Sequence, residues 1–196
     1  MMRMAYTAAY TRRMAGMKKF GVMLLMGVIT LALLAGCSLS RQNINFSDGV
    51  FLKLTYSPAG ERPVYEMFRT HAEFSSDGTV RFYCDGFGKE FTEEYPEETI
   101  RLSKEDIDEI KDAIRKNDIL SLRDDISSNS LDGDYYYLTV YTDKGEHRTG
   151  GLNVSNKRFL AVKDLVWDMV ESEILLLRTL ISDIQERGYI EMYNSD

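Results

Sequence analysis

Four kinds of residue in this 196-residue chain could carry chemistry: two cysteines, two histidines, an acidic loop and a row of tyrosines. Cys37 follows a branched apolar residue, Leu34, and two small ones, Ala35 and Gly36, which leave the backbone beside the thiol open to close approach. Cys84 ends Val80-Arg81-Phe82-Tyr83-Cys84 and alternates onto one strand face with Val80 and Phe82, so it reads as a buried, inert thiol. A nucleophile would need a base, and His71 and His147 are the only histidines. His71 lies on the polar parity of its strand and His147 just past a turn, so both read as solvated surface residues, too far apart in the chain to suggest a metal pair.

Asp124, Asp125, Asp132 and Asp134 lack the alternating spacing and closing Glu of an EF-hand loop. Gly86-Phe87-Gly88 lacks the third glycine and the following helix of a phosphate-cradling loop. Glu93, Glu94, Glu97 and Glu98 flank Pro96 and read as a wet loop, and no serine sits in a nucleophile elbow. The residues therefore predict no catalytic set, no metal and no cofactor. Tyr135, Tyr136, Tyr137 and Tyr141 are the remaining hint. Tyr136 faces away from the other three, so one parity belongs to a core and the other is open to a partner.

The stretch before Cys37 has its own order. Lys18-Lys19 precedes an uncharged apolar run, Phe20 to Leu33, which is too short for a bilayer span of about 20 residues. With Leu34, Ala35, Gly36 and Cys37 it resembles the signal peptide and lipobox of bacterial lipoproteins. That resemblance implies a diacylglycerol on the Cys37 thiol, cleavage after Gly36 and a lipid-anchored protein on the extracytoplasmic side of a bacterial membrane. Acyl chains add about 0.8 kcal/mol per buried methylene, and two or more hold stably. The competing reading is an uncleaved anchor helix. Residues 1–16 hold three arginines and no acid, and Met17-Lys18-Lys19 looks like an ordinary start, so the extension reads as a misplaced start.

Five of the 24 basic residues and none of the 31 acidic ones lie within 1–36, so the remainder carries a net charge of −12. That charge argues against nucleic acid and against flat adhesion to anionic lipid. The expected partners are the membrane, through Cys37, and an envelope protein.

These features must be positioned by one domain over 50–196, tied to Cys37 by a polar tether over 38–49. Val50–Tyr56 and Val64–Phe74 read as strands, and Ser76-Asp77-Gly78 turns the second into Thr79–Cys84. Thr99–Leu102 is a short extended piece, and Ser103 caps a helix with Ile107, Ile110 and Ile114 on one stripe. Tyr135–Thr142 is the strongest strand, and Asp143-Lys144-Gly145 turns it into a partner whose Gly150-Gly151 signals a bulge or close approach. Ser155 or Asn156 opens a final helical region, one helix or two, with a stop at Gly188.

The fold class is therefore α+β: an antiparallel sheet of two hairpins with helices on one face and an echo of a strand-strand-helix repeat. The outline is similar to bacterial lipoproteins carrying a domain of unknown function, a resemblance that brings no catalytic residues. The function expected is a non-catalytic binding or interaction module, with Tyr136, Leu176 and Leu180 as a candidate face. The alternative is an envelope enzyme or enzyme inhibitor working through a concave sheet face.

Overall fold

The computed structural model describes residues 43–60, 63, 66–86, 95–129 and 133–193, without the side chains of 189 and 191–193. The signal segment, Leu34 to Cys37 and residues 38–42 lie outside the described residues.

Nine elements and one short 3-10 turn are described: β1 (Val50–Pro58), β2 (Arg69–Ser75), β3 (Thr79–Asp85), β4 (Glu98–Arg101), α1 (Lys104–Lys116), the turn Ile119–Ser121, β5 (Asp134–Thr142), β6 (Gly145–Leu152), α2 (Lys157–Asp168) and α3 (Glu171–Tyr193). The strands form one antiparallel sheet in the order β4-β3-β2-β1-β5-β6, and the helices pack against it. The α+β expectation holds. The β2–β3 and β5–β6 hairpins spread outward from opposite sides of β1, with their first strands pointing the same way. Strand-strand-helix order thus recurs with β4 inserted before α1, but the half-turn about β1 that would superpose the two hairpins exchanges the sheet faces, whereas the helices of both units share one core.

Alternation explains the two sheet faces. Leu52 and Leu54 of β1 stand in register with Phe74 and Ala72 of β2 and with Val140 and Leu138 of β5. These six are buried together with Ile107, Ile110 and Ile114 of α1, Phe159, Val162 and Val166 of α2, and Ile174, Leu177 and Ile181 of α3. At about 1.5–3 kcal/mol per large apolar side chain, this layer is the main favourable term of folding.

Ser103 caps α1 as expected: its hydroxyl accepts from the Asp106 amide at 3.1 Å, and the Asp106 carboxylate accepts from the Ser103 amide at 3.0 Å. Asn156 is the cap of α2, accepting from Arg158 and Phe159. The final region is two helices, broken at Met169-Val170. Gly188 does not stop α3, which continues to Tyr193. An interior glycine costs only about 1 kcal/mol, which the packed residues before it offset. β2 begins at Arg69, after Glu66–Phe68, and is shorter than expected; Val64, its expected start, lies outside the described residues.

The tether expectation changes over 43–49. Ile44 is buried, Phe46 bridges Thr142, and its ring packs edge-on against Phe51 at 5.8 Å. The Ser47 amide donates to Tyr141 O at 3.1 Å, and the Asp143 amide donates to Asn45 O at 3.0 Å. Two apolar residues inside a polar stretch were the missed signal.

Candidate functional site

Among the described residues the helices cover one sheet face, and the other displays the alternate side chains. Tyr56 and Tyr136 point to the helix side, where Trp167 of α2 meets them at 5.2 and 5.3 Å. The candidate Tyr136 is therefore half-buried against a helix, with Lys163 over its ring, and does not belong to the open face. Tyr135, Tyr137 and Tyr141 take the opposite parity, as alternation requires.

A polar row crosses the open face at the middle of the sheet. Register places Tyr137, Thr55, His71 and Tyr83 side by side on β5, β1, β2 and β3. Thr55 Oγ1 lies 3.0 Å from His71 Nδ1, and His71 Nε2 lies 3.1 Å from Asp85 Oδ2. Arg69 Nε donates to Asp85 Oδ1 at 2.7 Å. The Tyr83 ring lies along the imidazole at 4.8 Å, and its hydroxyl donates to Glu73 at 2.8 Å. His71 is thus only 5% exposed, which corrects the solvated reading. On a sheet, a polar parity becomes buried when large neighbours in register lean over it.

Each flanking tyrosine also meets a guanidinium. Arg81 lies 4.7 Å from the Tyr83 ring and makes a two-pronged pair with Glu97 at 2.6 and 2.8 Å. Arg148 lies 3.8 Å from the Tyr137 ring. The face is therefore aromatic and charged at its surface, with a hydrogen-bonded floor.

Burial is the largest influence on His71 and lowers its pKa, while Asp85 opposes it. Burial likewise raises Asp85, but the hydrogen bond and charge of His71, with Arg69 behind them, leave it below its usual value. Burial, then the bond to Glu73, holds the Tyr83 phenol well above its usual range. A histidine with a depressed folded pKa binds more protons unfolded than folded, so stability falls as pH drops through about 6.5. Urea unfolding from pH 7.5 to 5.5 should show this slope, and His71→Gln should flatten it; an equal slope in the variant refutes the assignment.

Thr55, His71 and Asp85 are a hydroxyl, an imidazole and a carboxylate in line, the ingredients of a proton relay. Acyl transfer at Thr55 would also need amide donors free to hold a developing oxyanion. Thr55 lies between two hydrogen-bonded neighbours, β2 and β5, whose ladders engage the surrounding amides.

The other candidates fall elsewhere. Cys84 is partly buried, its thiol donates to Thr70 Oγ1 at 3.5 Å, and burial pushes its pKa to about 11, which fits an inert thiol. His147 Nε2 is buried without a hydrogen-bond partner among the described residues, again unlike a solvated histidine. Asp125 accepts from the Ser127 amide and hydroxyl, a local turn rather than a chelate; no metal-holding group is found among the described residues. Leu176 and Leu180 are 70% and 41% exposed on α3, beside Leu175, and lie apart from the polar row. Sequence reasoning missed His71, Tyr83, Arg81 and Arg148 as one surface. Register was the signal, and it is not written in any single strand.

No protein-family model matches the chain, and no curated protein matches it at a significant level.

Proposed function

We propose that this chain is a lipid-anchored extracytoplasmic binding module without catalytic activity, held to a bacterial membrane through acyl chains on Cys37. It engages an envelope protein through the open face of its sheet. The observation that carries the reading is that face: Tyr83 and Tyr137, each against an arginine, flank the buried Thr55–His71 pair. Tyrosine and arginine supply most of the affinity at protein interfaces because they give large contact area with directed polar groups. The net charge of −12 beyond residue 36 keeps the module away from nucleic acid and off anionic headgroups.

A photo-crosslinking residue at Tyr137 or Arg81 in the native envelope should give one discrete adduct, and the same residue at Leu176 should not. Adducts from Leu176 alone move the interface to α3 and overturn the assignment. The anchor is tested separately. Cys37→Ala should shift the protein from the detergent phase to the aqueous phase in a phase-separation assay, and unchanged partitioning refutes lipidation at that thiol.

A further inference from the structure

β6 is an outer strand, and the described residues close only half of its free edge. The Ile126 amide donates to Gly150 O at 2.9 Å, the Gly150 amide to Asp124 O at 3.2 Å, and the Ser128 amide to Leu152 O at 2.9 Å. These bonds fix which residues turn their backbone groups outward: Gly150 and Leu152, and by alternation Glu146 and Arg148. Among the described residues, no backbone hydrogen bond outside the β5–β6 ladder reaches Glu146 or Arg148, and both are exposed. A hollow of about 440 Å³ lies beside this half, lined by Asp124, Asp125, Tyr137, Glu146, His147 and Arg148.

We propose that this half-edge pairs with the same half-edge of a second copy, antiparallel about a two-fold axis at His147. Hydrogen-bond parity and charge choose the register together. Outward-facing residues must meet outward-facing residues, which leaves axes at Glu146, His147 or Arg148. An axis at Glu146 sets two carboxylates opposite each other, and one at Arg148 sets two guanidinium groups opposite each other; both are destabilising. The axis at His147 sets Glu146 of each copy against Arg148 of the other. Two such pairs exchange four backbone hydrogen bonds and two charge contacts on one face. The segment Asp124–Ser128 closes the edge from Gly150 onward, which confines the pairing to Gly145–Thr149 of each copy. The contact is smaller than a stable interface of about 1,600 Å², so it forms a concentration-dependent dimer. The partner of this edge is identical on both sides, as a two-fold contact requires.

The test uses the full chain in detergent with Cys37→Ala, which removes one native thiol. His147→Cys places two sulfurs across the axis in a non-hydrogen-bonded pair, with Cα atoms about 4.5 Å apart, close enough to bridge. It should oxidise to a covalent dimer, whereas Arg148→Cys, opposite Glu146 of the second copy, should not. In sedimentation at up to about 1 mM, Glu146→Arg or Arg148→Glu should weaken dimerisation about tenfold, the loss of about 1.4 kcal/mol. The double exchange should restore it. A monomer throughout that range, equal crosslinking from both cysteine variants, or single exchanges without effect overturns the proposal. Far-ultraviolet circular dichroism confirms that each variant is folded.

Discussion

Replacing Gly150 with alanine should cost about 3–5 kcal/mol, a large part of the 5–15 kcal/mol that holds a domain of this size. Gly150 sits at φ +149°, a backbone region that side chains disfavour. A Cβ there would lie 2.1 Å from Tyr136 O, 2.7 Å from Tyr137 Cα and 2.9 Å from Tyr137 Cδ1. The two backbone atoms belong to the interior strand β5 and cannot yield without breaking the ladder to β1. The penalty therefore combines strain with overpacking, and the Tyr137 ring that lies across the glycine would also be displaced from Arg148. The midpoint of thermal unfolding should fall by about 10 °C. Gly151→Ala should also destabilise, because its Cβ would meet Ser127 Oγ at 2.2 Å and both Asp125 Oδ1 and Ser127 N at 2.9 Å. A segment outside the sheet, backbone included, can shift more readily than an interior strand, so the Gly151 loss should be smaller. A Gly150→Ala loss below 1 kcal/mol, or the reverse ranking, contradicts this account.

The second large loss is expected at Arg178. Its guanidinium donates to Phe68 O at 3.2 Å, to Thr70 Oγ1 at 2.9 Å and to Glu66 O at 3.2 Å. It also lies 4.3 Å from the Phe68 ring and 5.1 Å from the Tyr56 ring. One side chain thus fastens the last helix to the stretch that leads into β2. Arg178→Ala removes three charge-assisted hydrogen bonds and the stem that packs on the two rings, for about 3 kcal/mol. Arg178→Lys should recover less than half, since a point ammonium cannot reach three acceptors in fork geometry or stack as a plane on the rings. Denaturant midpoints of both variants decide it: a lysine variant equal to wild type would mean that charge alone, rather than the planar fork, holds α3 in place.

These two sites show different degrees of legibility. Gly150-Gly151 announces a close approach in the sequence, since two adjacent glycines in a strand have little other use. What approaches is invisible there, because Asp124–Ser128 lies more than twenty residues away and reads as a solvated acidic loop. Arg178 gives no sequence signal at all. It sits between Leu177 and Thr179 in an apolar helix, and its partners lie about 110 residues earlier.

The strands, the hairpin turns, the cap at Ser103 and the α+β class follow from the sequence alone. Each depends on residues within a few positions of one another: alternation, a glycine that permits positive φ, a hydroxyl three residues before an amide. The order of the strands, the burial of His71 and the separation of Tyr136 from the open face are tertiary facts. Alternation says that two faces exist, but helix packing decides which one is covered. Register across four strands then decides that Tyr137, Thr55, His71 and Tyr83 form one row. A one-residue slip in any pairing would dissolve that row while leaving every strand intact.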